Sequence, residues 1–392
     1  MWWRWWVVFS SLGVLLQGSP VSATRVESAP ALAPSTILID ADSGQTLSEA
    51  DADAPYPSGG LNQLMVLLLA IEQTEMGTMP LTTPVTVSPL VIKLGTAAQV
   101  PLHADKTYLL GDLMMAMAVG AAVDATVAVA ETVAGSVPTC LEMMNARAQR
   151  LGMAATRYTA LAGDRPDGIP ASDTTTARDV ARLAQALLRH KSISEWASVS
   201  GFPFDHGATL LRNTNQLLGA VNGVDGLLVT SQGGGARGAT GRTTNKPRAT
   251  FDIVATAQRQ SLRLAAVVLG AGDSATRYGK AAELIEWGFA HYERLELVKE
   301  GERLNMEVRV SEGAVGRLTP IAGQAVSLLR RRDEERDFQV RYQVPALIAA
   351  PVKRDQVIGE LIVEEHGRLM AVVPVLSPRT VAGKSILSAA LR

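Results

Sequence analysis

Hydrophobic and polar positions divide the chain into two textures. In the first, apolar residues come in unbroken runs or at helical spacing. Thr36–Asp40 is a short apolar run closed by the turn signal Asp42-Ser43-Gly44-Gln45, which predicts a hairpin. Residues 61–72 are apolar without a break at 64–71. A helix with no polar face is a buried helix, and Ser58 or Asn62 is placed to cap its start. A helical pattern rich in Ala, Met and Val spans Tyr108 to Glu131, and amphipathic helices are predicted at 139–151 and 175–190. The last carries Ala177, Val180, Ala181, Leu183, Ala184 and Leu187 on one face. Strands follow at Val224–Thr230, Phe251–Ala257 and Leu262–Leu269, then a helix from Tyr278 to Tyr292. This order predicts an α/β sheet with a helical insertion, placed over residues 35–293.

The second texture begins near Glu293–Val298. Short alternating stretches at Asn305–Val310, Phe338–Val344, Val357–Glu364 and Leu369–Val375 are separated by turn and charged residues, as in a small all-β sandwich over 294–380. A weakly amphipathic tail, 381–392, closes the chain. At the other end, Arg4, an apolar stretch and Val21-Ser22-Ala23 fit a secretory signal peptide cleaved after Ala23; Ser10, Ser11, Gln17 and Ser19 interrupt it too often for a membrane span. Residues 24–34, rich in Ala, Pro and Ser, read as a linker. The implied destination is a bacterial periplasm.

Composition narrows the function. The chain has 392 residues, with 37 basic against 38 acidic, so it is not a strongly basic nucleic-acid binder. Cys140 is the one cysteine, and His103, His190, His206, His291 and His366 are scattered. Neither a disulfide nor a local Cys/His metal motif is available, and no cofactor is implied. Residues 231–250 mix Arg237, Arg242, Lys246 and Arg248 with glycines; the segment suits either a flexible solvated insertion or a contact to an anionic partner. Arg330-Arg331-Arg332 followed by Asp333-Glu334-Glu335-Arg336 reads as a solvated charged turn.

The order of the pieces resembles the penicillin-binding D-alanyl-D-alanine carboxypeptidases, the DacA-type serine peptidases. The resemblance rests on Ile37–Asp40 with Ser43-Gly44, Asp124-Ala125 with Ala130–Ser136, Leu151-Gly152-Met153, Thr176–Asp179, Asn213-Thr-Asn215, Val224-Asp225-Gly226, Val267–Gly270 and Trp287-Gly288-Phe289. In the second region Ala350–Lys353, Val357-Ile358-Gly359 and Pro374 carry it. It implies a β-lactamase/DD-peptidase-like α/β sheet with a helical subdomain, followed by the small all-β sandwich.

The family's chemistry uses Ser-x-x-Lys, Ser-x-Asn and Lys-Thr-Gly. The serine attacks the D-Ala–D-Ala carbonyl, the lysine one helical turn later takes its proton, and the third-motif lysine holds the substrate carboxylate. Carried onto this chain, the nucleophile position falls on Gly60 and the base position on Gln63. The second motif falls on Ala121 and Val123, and the third on Leu228, Val229 and Thr230. A shifted third motif at Ala239-Thr240-Gly241 still lacks the lysine. No catalytic residue of the family is retained at these positions.

The expectation is therefore a secreted pseudoenzyme of the carboxypeptidase family, with a binding or scaffolding role toward peptidoglycan or a cell-envelope protein. Its cleft is expected to be more apolar and less suited to anions than an active one. The alternatives are an active serine-type carboxypeptidase using unrecognised groups, and an interaction module centred on the β-sandwich. No strong membrane anchor is expected from the tail, whose apolar side is only Ile386, Leu387 and Leu391.

Overall fold

A computed structural model of the protein describes residues 34–93, 100, 102–104, 106–161, 173–226 and 251–384. The signal and linker reading lies outside these residues except for its last position, as do Leu228, Val229, Thr230, the segment 231–250 and the tail beyond 384.

The first region opens with the hairpin β1 (Ser35–Asp40) and β2 (Thr46–Ala50), then α1 (Asn62–Glu75), β3 (Pro84–Thr86), α2 (Pro89–Lys93) and β4 (Thr107–Leu109). Helices α3 (Leu110–Gly120), α4 (Val123–Ala134), α5 (Val137–Arg150), α6 (Ala177–Leu188) and α7 (Lys191–Ala197) follow. After β5 (Gly201–Phe204) and β6 (Thr209–Arg212), the chain returns through β7 (Val224–Gly226), β8 (Phe251–Arg259) and β9 (Leu262–Ala271) to α8 (Ser274–His291).

Five strands pair in the order β2-β1-β9-β8-β7, every pair antiparallel. Alternate residues of one strand serve opposite faces. Ile37 and Ile39 join Val254, Val267 and Leu269 against the helices of the insertion. Leu38 joins Ile253, Leu264 and Val268 beneath α8. Helices cover both faces, so β1 and β9 read as continuous apolar runs rather than alternating ones. Gly288 lets α8 lie close to the sheet: a Cβ there would stand 2.6 Å from Leu264 Cδ1 and 2.8 Å from Leu38 Cδ2.

Three readings in this region need correction. The pattern from Tyr108 to Glu131 is two helices, because Ala121 takes the left-handed conformation at φ 51° between α3 and α4. Small residues at 120–122 tolerate the turn, and an unbroken apolar run carries no punctuation that would reveal it. Tyr108 lies in β4, opposite Val85. Neither Ser58 nor Asn62 caps α1, which starts from a 3-10 turn at Gly59–Leu61 with no side-chain cap. Their side chains bond to distant segments instead.

The second region holds β10 (Tyr292–Val298), β11 (Val308–Ser311), β12 (Arg317–Leu318), β13 (Ile321–Ala322), β14 (Val326–Arg331), β15 (Phe338–Gln343), β16 (Leu347–Ala349), β17 (Val357–Glu365) and β18 (Arg368–Leu376). Sheets β12-β11-β16 and β13-β18-β17-β15 share a core with Val308, Val310, Leu361, Val363, Val373 and Val375 at its centre. Helix α8 passes directly into β10, which pairs antiparallel with β14 from Tyr292↔Arg331 to Val298↔Val326. The charged run at 330–336 is not a plain turn: Arg330 and Arg331 end β14, and Arg330 and Arg332 both pair with Glu293. Val381, at the start of the tail, is buried and bridges Val352.

Candidate functional site

The segment before α1 is fixed by backbone and side chain together. Tyr56 and Thr175 exchange both backbone hydrogen bonds, at 2.8 and 2.7 Å. Ser58 Oγ donates to Asp173 Oδ2 at 3.1 Å, and both residues are buried. The other carboxylate oxygen, Asp173 Oδ1, accepts from Thr159 N at 2.7 Å, from Ala160 N at 3.2 Å and from the Thr159 hydroxyl. Asn62 Nδ2 donates to Ala160 O at 3.0 Å. The polar side chains around the first-motif position thus spend their hydrogen bonds on holding 58–62 against 159–160 and 173.

Gly60 sits in the 3-10 turn, partly exposed, and presents no side chain. Gln63, in the first turn of α1, is buried, and its Oε1 lies 3.3 Å from Thr126 Oγ1 on α4. The Thr126 hydroxyl also donates to Ala122 O at 2.8 Å. Ala121 and Val123 flank the break between α3 and α4, Ala121 fully buried and Val123 partly so. The fold therefore brings the Gly60–Gln63 turn and the 121–126 turn together across the α1–α4 contact.

Asp124 is buried in the first turn of α4, where its carboxylate accepts from Val100 N at 3.1 Å and from Ala125 N at 2.9 Å. A carboxylate here also meets the positive end of the helix dipole. These contacts give Asp124 a structural role at the start of α4.

The described part of the third segment ends at Gly226. Asp225 pairs with Arg263 at 2.5 Å, and Thr256 Oγ1 donates to Gly226 O at 2.7 Å. Gly226 has φ 128°, and a Cβ there would lie 2.4 Å from Ala197 Cβ, so only glycine fits.

Two further groups are quiet by their environment. Burial pushes the Cys140 thiol up to about 12, so it holds its proton and is no nucleophile at neutral pH. Burial first, and then the nearby Asp179 and Asp173, push the Tyr158 hydroxyl far above its usual range.

Residues 22–273 match the D-alanyl-D-alanine carboxypeptidase family, and residues 292–382 match the C-terminal domain of penicillin-binding protein 5. The chain belongs to the D-alanyl-D-alanine carboxypeptidase family. It is 25% identical to the carboxypeptidase DacF of Bacillus subtilis over 347 residues, covering 88% of this chain and 84% of that one. It is 28% identical to DacC of Escherichia coli, covering 87% and 82%. Among solved structures, penicillin-binding protein 5 of Haemophilus influenzae matches with TM-score 0.64 at 24% identity, covering 89% of this chain and 97% of that one. A cefotaxime-bound penicillin-binding protein D2 from Listeria monocytogenes matches with TM-score 0.54 at 27% identity, covering 66% and 97%.

The family is one of serine carboxypeptidases that act on peptidoglycan in the cell envelope, and the expected α/β region with its β-rich partner is the fold observed. Among the described residues no helix is long and apolar enough to cross a membrane. The Ser58–Asp173–Thr159 cluster escaped sequence reasoning, because no local spacing links positions 115 residues apart.

Proposed function

We propose that the chain is a secreted, catalytically inactive carboxypeptidase homologue with a binding or scaffolding role in peptidoglycan metabolism. The observation that carries this reading is Gly60 opposite Gln63: the nucleophile position has no side chain, and the base position is an amide facing Thr126. Covalent catalysis needs a nucleophile with a base in hydrogen-bond reach. Removing either member of such a unit elsewhere costs about 10⁶ in rate. Ser58, the nearest hydroxyl, donates to a buried carboxylate that three other donors also hold.

The same reading assigns Ala121, Val123, Leu228, Val229 and Thr230 to the other two motifs, with the peptidase-like region at 35–293 and the sandwich at 294–380. Labelling with a fluorescent penicillin, followed by peptide mass mapping, tests it. No covalent adduct is expected, and a stable adduct on any serine overturns the proposal. Export is tested on the envelope protein, whose mature N-terminus is expected near Thr24; intact Trp2–Trp6 there would show an anchor instead.

A further inference from the structure

The sandwich of the second region has one long open edge. Strand β15 ends the sheet β13-β18-β17-β15, whereas the other end strands of the two sheets, β12, β13 and β16, have only two or three residues. Phe338-Gln339-Val340-Arg341-Tyr342-Gln343 pairs with β17 from Phe338↔Glu365 to Gln343↔Glu360 without a register shift. Among the described residues no strand or loop pairs with its far side. An open edge is a template for another strand, and natural sheets blunt it with lysine, proline, a bulge or a covering element. Strand β15 has none of these. Its single charge, Arg341, is paired with Glu364 on β17.

The sandwich core is open on this side too. Leu361 and Val363 of β17 are fully buried. Val340, opposite Val363, is only half-buried, and Tyr342, opposite Leu361, is 41% exposed. Residues 344–346 lead straight to β16, the end strand of the second sheet, where Leu347 is 54% exposed. A hollow of about 630 Å³ lies at the end of β15, between Tyr342–Pro345 and Val357–Glu360, and Val357 on its wall is exposed. Apolar side chains gathered at one open edge mark a surface that an interaction covers.

The strand is complementary to itself. A two-fold axis normal to the sheet sets β15 antiparallel to its own copy and keeps every side chain on its own face. With Val340 on the axis, Phe338 opposes Tyr342 of the second copy, Val340 opposes Val340, and Gln339 opposes Arg341. The apolar stripe then runs unbroken from one core to the other, and each arginine meets an amide beside its own Glu364. Placing Arg341 on the axis sets two arginines face to face, which costs stability. Placing Gln339 there pairs only residues 338–340 of the strand.

We propose that β15 pairs with β15 of a second copy of this chain, joining two four-stranded sheets into one and covering the open side of both sandwiches. The assembly carries two peptidase-like regions, and it stands whether or not the cleft is catalytic.

So short an interface is weak, and sedimentation velocity on the full chain is expected to show a monomer at low micromolar and a dimer at high micromolar concentration. Gln339 is exposed and opposes Arg341. Gln339→Glu is expected to tighten the dimer and Gln339→Arg to loosen it, each by at least about threefold, because the two-fold axis counts every change twice. Cysteines read the register. Val340→Cys is expected to cross-link in air, since a residue on the axis meets its own copy at a Cα separation of about 4.5–5.5 Å, within disulfide reach. The native Cys140 is buried and does not compete. Gln343→Cys would stand about 20 Å from its own copy and is expected not to cross-link. Phe338→Cys is expected to cross-link only when mixed with Tyr342→Cys. A chain that stays monomeric at high micromolar concentration, Gln339 variants that shift the dimer in the same direction, or equal cross-linking at Gln343→Cys and Val340→Cys overturns the proposal. If Val340→Cys melts early, the two Gln339 variants decide.

Discussion

The turn around Gly60 and the junction around Arg294 are both rich in polar groups, and they use them in opposite ways. At the turn, Ser58, Asn62, Gln63 and Asp173 are buried and hydrogen-bond to other parts of the same chain, Asn62 Oδ1 alone of these being without a partner among the described residues. At the junction, ion pairs hold guanidinium groups in place while Arg332 remains half in solvent. Buried polar groups must be satisfied or they cost stability, and at this turn internal bonds meet most of that need. The contrast teaches that polar content alone does not mark a binding site.

The largest expected effect breaks the junction. Asp40→Ala leaves Arg294 buried without its main partner, and losing one member of a buried pair costs about 3–5 kcal/mol. Urea unfolding measures it, and a loss below about 1 kcal/mol would place the pair in solvent. Next is the turn itself. Asp173→Ala strands two backbone N–H groups and two hydroxyls, for an expected cost of about 3 kcal/mol. A neutral outcome would mean that these donors find water.

Gln63→Met is the mild counterpart. Thr126 keeps its bond to Ala122 O, so the expected change is about 1 kcal/mol or less, with penicillin labelling still absent. Labelling that appears in the parent and falls in this variant would make Gln63 part of a working site.

The smallest effect is acid dependence. The Arg259 guanidinium holds the Glu286 carboxyl below its ordinary 4.5. Its contribution is fully present above that value and is lost as pH falls through the lowered one. The gap in urea midpoint between the parent and Glu286→Gln is therefore expected to narrow from about pH 6 to about pH 3. A gap that stays constant would show that the pair contributes nothing through charge.

Much of the fold was legible because it is written in local periodicity. The apolar stripe of α6 and the two-sided burial of β1 follow from residue spacing, and so do β17 and β18. The break at Ala121 was not legible, since its neighbours are as apolar as the helices they separate. Helix α7 and the β5–β6 hairpin went unread for a different reason. They are short, and Phe204 is held by contacts distant in sequence, such as its stacking on Tyr108, 5.5 Å away between ring centres. At the candidate site, Gly60 and Gln63 could be placed by resemblance. The acid that ties down Ser58 could not, because its identity as a partner exists only in three dimensions.

The direct passage of α8 into β10 has a mechanical consequence. No loop separates His291 from Tyr292, β10 is zipped to β14 over its length, and Leu329 of β14 packs into the core beneath α8. A pull on the β-rich region therefore has no slack to take up. It loads the helix along its axis and the strand pair in shear, so the two regions turn as one lever rather than as beads on a string.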